Sequence, residues 1–342
     1  MLVYNVSSYT KGTVMDIYDI AKLAEVSTAT VSRVMNNGRV SEKTRERVLR
    51  VMEENSYSPN VHARRMNLNA SKTIGVVVTG LDRMFFSQAV AIIERELKKA
   101  DYDISLYCTG SRIENVEKYI RFFKSRSADG IIFIGSIFKG IDNRAHLNKA
   151  ALSVPVLFIN AEPNSDNIYS VVANDVLAVS EAVAHLTEKG HRRFLYVYEN
   201  ETASGLKKLQ GFNSGIQSCG LGSENCVTLR CARDIWVAKA EIAFILEKQP
   251  DITAIIASED ELAVGALKAA EALGIKVPER LAVIGYNNSV LALCCSPELT
   301  SIDNKIVSMC EISVKILMDA LAGRETPRHI SLDCDLIIRE ST

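Results

Sequence analysis

Residues 27–33 read Ser-Thr-Ala-Thr-Val-Ser-Arg, which places four hydroxyl side chains and one guanidinium in a single short run. That combination suits a polyanion with readable edges. Ser27, Thr30 and Ser32 offer hydroxyls to phosphate oxygens, and a helix beginning here turns its free N–H groups toward an anion. Thr28, Ala29 and Arg33 would project where base edges lie. Arg33 is long enough for a bidentate bond to guanine, worth about 1–3 kcal/mol of discrimination. Without further context, the same run would serve equally as the solvated face of a small packing unit.

Other candidate groups point away from catalysis. Ser258-Glu-Asp-Glu261 sets three carboxylates in a row. Ser followed three residues later by Glu is, however, the spacing of a capping box, with acids at the positive end of a helix. No nucleophile motif, phosphate loop or Ser/His/Asp pattern accompanies it. The histidines (His62, His146, His185, His191, His329) are scattered. His185 and His191 fall near the end of one expected helix, where packing or carbonyl contacts would occupy them. The cysteines (Cys108, Cys219, Cys226, Cys231, Cys294, Cys295, Cys310, Cys334) follow no C-x-x-C or Cys/His metal spacing. Buried, reduced thiols are expected, with the adjacent Cys294 and Cys295 the one place for a redox sensor. The chain is expected not to be an enzyme and to need neither metal nor cofactor.

The elements that must position the 27–33 run are legible around it. Residues 16–24 form an amphipathic helix with Ile17, Ile20, Ala21, Leu23 and Ala24 on one face. After a break at Glu25 and Val26, Ser27 caps a second helix over 28–36, with Val31, Val34 and Met35 inward. Asn36-Asn37-Gly38 ends it with residues that tolerate left-handed backbone. Ser41 caps a third helix to about residue 56, with Val48, Val51 and Met52 inward. Three short helices with a tight first turn describe a helix-turn-helix. Ser58-Pro59 then starts a further helical stretch over 60–67. Two turns are too few to hold alone in water.

The chain has 342 residues, 47% hydrophobic and 24% charged, enough for two or three folded units. Its net charge of −1 hides an asymmetry, since residues 1–73 carry 11 Lys/Arg against 7 Asp/Glu and the remainder is acidic. A basic head on an acidic body fits a polyanion-binding module joined to a sensor. The longest apolar runs are too short for a bilayer, and residues 1–14 lack the pattern of a secretory signal, so a cytoplasmic location with no membrane partner is expected. From residue 72 onward, strand candidates at 74–79, 104–108, 130–134, 156–159, 194–197, 254–256 and 281–284 alternate with helical stretches such as 86–100, 176–189 and 261–273. That alternation implies parallel sheets covered on both faces, with ligands outside the strand carboxyl ends.

The run Asp16-Ile-Tyr-Asp-Ile-Ala-Lys-Leu-Ala-Glu-Val-Ser-Thr-Ala-Thr-Val-Ser-Arg-Val-Met-Asn36 resembles the signature of the lactose-repressor (LacI/GalR) family. Val40-Ser-Glu-Lys-Thr-Arg-Glu-Arg-Val48 and Tyr57-Ser-Pro-Asn60 agree with it, and the likeness extends from Met15 to the end of the chain. One departure is Glu25, where the family usually has Gly. The resemblance implies an all-α helix-turn-helix head and a periplasmic-binding-protein-like α/β body of two doubly wound parallel-sheet subdomains, between which the chain crosses three times. The expected boundaries are a disordered extension at 1–14, with Met15 the favoured start, the head at 15–58, hinge helix and linker at 59–73, and the effector-binding and dimerisation body at 74–342. Within the body, one subdomain takes 74–172 and 304–333, and the other 173–303 and 334–342.

The resemblance also assigns roles. Ser27, Thr30, Ser32, Asn36, Arg39, Ser41, Thr44 and Asn60 are expected on the DNA backbone. Ala63, Arg64 and Met66 are expected in the minor groove, where Met66 replaces the family's usual Leu wedge and Arg65 adds phosphate attraction. Matching the family's motifs places Phe85, Asn160, Lys208, Trp236, Glu259, Asn287 and Asn304 toward the cleft between subdomains. Lys208 stands where Arg is usual, Asn287 where an Asp usually binds sugar hydroxyls, and Arg83-Met84 where Asn-Pro is common. Trp236, the single tryptophan, would stack on a sugar face or lie in the core. The expected partners are a pseudo-palindromic double-stranded operator, a small polar, sugar-like effector and a second copy of the chain. No heptad tail follows Thr342, so a dimer is expected and not a tetramer. Two other functions fit parts of the sequence: a regulator whose DNA affinity is set by a partner protein, and a solute-binding protein, which would have no use for the head.

Overall fold

The computed structural model describes residues 17–35, 38–54, 71–110, 116–138, 154–162, 168–199 and 202–342. The expected extension at 1–14 and the hinge stretch at 60–67 lie outside them. The chain divides into two compact units, residues 1–69 and 70–342.

In the first unit α1 (Ile17–Leu23), α2 (Thr28–Met35) and α3 (Glu42–Glu54) enclose a small core of Ile20, Ala21, Ala24, Val31, Val34 and Val48. Ile17, Val26, Met35, Val40, Val51 and Met52 pack around it. Leu23, expected inward, is instead 53% exposed. Leu23 lies roughly 100° round the helix from the face of Ile17, Ile20, Ala21 and Ala24, and α1 is closed by the Val26 N–H bonding to the Ala21 carbonyl at 3.0 Å. The closure needs left-handed backbone at Glu25, whose φ is +50°. Glu25→Gly is therefore expected to stabilise the head by a net of about 0.5–1 kcal/mol, the relieved strain being partly offset by a freer unfolded chain. Amide exchange across α1 and α2 of the full chain should slow about three- to five-fold if closing is fast. Faster exchange would show that Glu25 has a compensating role.

The second unit holds two six-stranded sheets. The first, in the order β11-β5-β4-β3-β1-β2, combines β1 (Thr73–Val78), β2 (Asp103–Cys108), β3 (Gly130–Ile134), β4 (Val156–Ile159) and β5 (Tyr169–Ala173) with the late strand β11 (His329–Leu332). The second, in the order β12-β10-β9-β8-β6-β7, combines β6 (Phe194–Tyr198), β7 (Cys226–Arg230), β8 (Ala254–Ala257), β9 (Ala282–Tyr286) and β10 (Thr300–Asp303) with β12 (Asp335–Ile337). All pairings are parallel except β10 with β12. Each sheet thus takes an edge strand from the chain's end, so the chain crosses between lobes after β5, β10 and β11.

Helices cover the sheets. In the first lobe α4 (Met84–Lys99) packs on α11 (Ile306–Leu321), and α5 (Val116–Ser125) contributes Tyr119, Ile120 and Phe123 to a core with Ile131, Phe133 and Phe158. In the second, α6 (Asp175–Glu188) packs on α7 (Ala203–Ser218), and α8 (Ile235–Lys248) on α9 (Asp260–Ala272). The α6–α7 approach requires glycine, since a Cβ at Gly211 would stand 2.4 Å from the Val176 carbonyl oxygen. A short helix, α10 (Leu291–Cys294), follows β9 and touches α9. Side chains from both sheets, among them Ile132, Leu157, Tyr196 and Ile284, belong to one apolar cluster.

Two expectations need correction. Ser258 is not a helix cap. The N-cap of α9 is Glu259, with no side-chain cap bond, and Ser258 is buried. Cys108 and Cys294 are exposed, so buried thiols hold only for Cys231, Cys310 and Cys334. Burial pushes each of those three up to about 12, and none is a thiolate near neutral pH. For His185 the buried Nε2 makes no hydrogen bond, which leaves packing as the role of that atom.

Candidate functional site

Two sites stand out, one in each unit. On α2, Ser27 accepts from the Thr30 N–H at 3.2 Å, and its hydroxyl shares a second bond with Thr30 Oγ1 at 2.9 Å. Ser41 caps α3 in the same manner, with Thr44 N–H at 3.3 Å and Thr44 Oγ1 at 2.8 Å. These hydroxyls hold the helix starts as well as facing outward. Ala29 and Arg33, one turn apart, are exposed, whereas Thr28, Thr30, Ser32 and Thr44 are half-buried. Arg39 and Ser41 are exposed in and after the loop that follows α2. Arg45, which had no expected role, donates to the Gly38 carbonyl at 2.9 Å and fixes that loop. Asn36, Asn60, Ala63, Arg64 and Met66 lie outside the described residues.

In the second unit, residues that follow the carboxyl ends of strands from both sheets surround a cavity of about 520 Å³. Thr79 and Arg83 follow β1, Ser136 follows β3 and Asn160 follows β4. Glu199 follows β6, Glu259 β8, Asn287 β9 and Asn304 β10. Phe85 and Phe86 add an aromatic wall, their rings edge to face at 5.5 Å. This is where α/β sheets of this winding hold ligands.

A chain of polar contacts runs along one wall. Lys208 on α7, 4% exposed, donates to the Ser258 carbonyl at 2.9 Å and reaches Glu259 Oε1 at 3.4 Å. Its ammonium also sits 3.6 Å from the centre of the Tyr286 ring. Asn287 donates to Glu259 Oε2 at 2.5 Å, and Asn304 donates to Asn287 Oδ1 at 2.8 Å. Arg233 closes the network, 3.6 Å from Glu259 and 2.7 Å from Glu261. Burial alone would push the Glu259 carboxyl up, but Lys208, Arg233 and the Asn287 amide outweigh it and hold the group below its ordinary value. Behind the wall, buried Asp175 accepts from Ser204 at 2.6 Å and from the Tyr286 hydroxyl, and desolvation raises its pKa. Asp260, fully buried at the start of α9, accepts from the Ser289 N–H and hydroxyl and from Ser301, and burial pushes it up to about 6. Among the described residues no His/Cys/Asp/Glu group could hold a metal.

The structure thus brings together Phe85, Asn160, Lys208, Glu259, Asn287 and Asn304, but not Trp236. Trp236 begins α8 on its outer side, 66% exposed, with the ammonium groups of Lys239 and Lys268 5.7 and 5.5 Å from its ring. The cause is local. Asp234 caps α8 through the Trp236 and Val237 N–H groups at 2.8 and 2.9 Å, and that register turns the indole away from the cavity. Glu199, Ser204 and Arg233 are among the lining residues that sequence reasoning missed, and Arg83 stood out only as a departure from the family's motif.

Residues 16–60 match the family described as bacterial regulatory proteins, lacI family, and residues 183–342 match a periplasmic binding protein-like domain. An HTH-type transcriptional regulator of Lachnoclostridium phytofermentans is 37% identical over 331 residues, covering 96% of this chain and 99% of the relative. The chain belongs to the LacI family. This LacI-family transcriptional regulator is also 31% identical, over 95% of its length and 97% of the relative's, to the regulator DegA of Bacillus subtilis. Among solved structures, a complex of the transcriptional regulator CelR with cellobiose superposes with a TM-score of 0.69 at 25% identity, covering 96% of this chain and all of that one. The lac repressor dimer bound to operator shares the fold, with a TM-score of 0.72 at 24% identity over 96% and 99% of the two chains. A LacI-family regulator from Enterococcus faecium with bound ribose gives a TM-score of 0.68 at 25% identity over 79% and 98%. As a LacI-family regulator the chain is DNA-binding and not an enzyme, and among the described residues no helix is long and apolar enough to cross a membrane.

Proposed function

We propose that this LacI-family regulator is a repressor that binds a pseudo-palindromic operator as a homodimer, and that a small polar ligand in the inter-lobe cleft controls its operator affinity. The observation that carries the ligand reading is the polar wall of Lys208, Glu259, Asn287 and Asn304 at the strand ends of the second sheet, facing the residues of the first lobe across the cavity. Its alternating donors and acceptors suit a polyhydroxylated molecule, and the cations already face carboxylates. The cellobiose and ribose complexes of similar regulators support a sugar or related metabolite. Calorimetric titration of the full chain with sugars, nucleosides and sugar phosphates tests this. Absence of heat from the whole panel counts against it.

Two-fold symmetric operators need two heads. Exposed apolar side chains on α8 (Trp236, Val237, Phe244) and α10 (Leu293), two helices that both pack on α9, supply a surface a second copy would cover. On the head, Ala29 and Arg33 are the exposed candidates for base reading, with Thr28 beside them; the hydroxyls of Ser27, Thr30, Ser32, Ser41 and Thr44 and the exposed Arg39 are those for phosphate. Arg33→Ala should relax preference at one operator base pair by about 1–3 kcal/mol. Competition gel shifts with single-base operator variants would show this, while ligand binding stays unchanged. Unaltered preference at every base pair would remove Arg33 from the readers.

A further inference from the structure

We infer that Arg83 and Glu199 form a latch between the two lobes, and that this pair sets how readily the cleft opens. Arg83 belongs to the first lobe, just before α4, and Glu199 to the second, just after β6. Their bond is a bidentate fork, Nη1 to Oε2 at 3.0 Å and Nη2 to Oε1 at 2.7 Å. Both residues line the cavity. The side chains are 36% and 17% exposed, so the pair is partly shielded from solvent.

Both ends are anchored. The Arg83 carbonyl accepts the N–H groups of Phe86 and Ser87 at 3.1 and 3.2 Å, which ties its backbone to the first turn of α4. The Glu199 carbonyl accepts Arg230 Nε at 3.3 Å, and the preceding Tyr198 carbonyl accepts the Cys231 N–H at 2.9 Å. With both backbones fixed to their own lobes, separating the lobes breaks the fork. A second cross-lobe pair, Lys207 on α7 with Glu162 after β4 at 2.6 Å, closes another path between them. Glu162 is shared with His329 at 3.2 Å and so is held from its own lobe. Lobe motion of the hinge type is how two-domain clefts admit and release ligands. A ligand that reaches Arg83 or Glu199 must replace a bond the protein already makes.

Hydrogen exchange of the full chain, followed by mass spectrometry, tests the latch. The variants are Arg83→Met, Glu199→Gln and the double swap of Arg83→Glu with Glu199→Arg. Each single variant should accelerate exchange at 79–86 and 202–208 about three- to ten-fold, as expected for a partly shielded pair, while β3 and β8 exchange as in the parent. The swap should restore most of that protection. Wild-type rates in both single variants, equal acceleration throughout the body, or a swap no better than the singles would each overturn the proposal. The measurement uses no effector, so its failure is distinguishable from failure of ligand binding.

Discussion

Replacing Lys208 with Met should lower the stability of the body by about 3 kcal/mol at neutral pH, the low end of the cost of removing one partner from a buried ion pair. The low end applies because Arg233 and Asn287 still face Glu259 when the ammonium is gone. Urea unfolding followed by circular dichroism measures the loss. The deficit should depend on pH with a definite sign. Glu259 is held below its ordinary value of 4.5, so its contribution is present above that value and is lost as pH falls through the lower folded-state value. Without Lys208 that contribution shrinks, and the gap between variant and parent should narrow as the solution is acidified. Lys208→Arg keeps the charge and should recover part of the loss. A Met variant as stable as the parent at pH 7 would mean that Lys208 and Glu259 are independent.

Asn287→Asp is the second variant with a large expected effect. The substitution installs the residue that the family resemblance leads one to expect, yet here it should cost about 2–4 kcal/mol. Asn287 gives an N–H to Glu259 Oε2 at 2.5 Å and accepts from Asn304 at 2.8 Å. An aspartate keeps the second bond, loses the first, and brings two half-buried carboxylates together. Their repulsion should raise the proton affinity of the pair, and the penalty should fade as the solution is acidified and the two share a proton. Chemical denaturation at several pH values would show the deficit shrinking toward acid. A deficit that stays constant with pH would mean that the carboxylates do not interact.

The head was readable because short helices announce themselves through caps and apolar spacing, and Ser27 and Ser41 do cap α2 and α3. Interior strands such as β3, β4 and β8 are buried on both faces and therefore appear as unbroken apolar runs. The edge strands β7, β11 and β12 alternate between exposed and half-buried positions and carry no such run. β10 escaped for another reason. It buries Thr300 and Ser301 because the Arg339 N–H and the Thr342 hydroxyl satisfy the first side chain and Asp260 the second, and those partners lie about forty residues away in sequence. The same limit applies in the cleft. Only the family resemblance placed Glu259 there, because the bonds that claim its carboxylate come from Lys208 and Asn287, remote in the chain. The pair of Arg83 and Glu199, 116 residues apart, leaves no local trace at all.

The late edge strands have a consequence for how the protein is made. β11 completes the first sheet and β12 the second, and α11 supplies Leu317 and Ile316 to the apolar interior. While the ribosome is still adding residues beyond 300, neither lobe has its full complement of strands, whereas the head has long since emerged. A nascent chain therefore presents a finished head on an unfinished body, and a premature stop shortly before residue 329 would damage both lobes together.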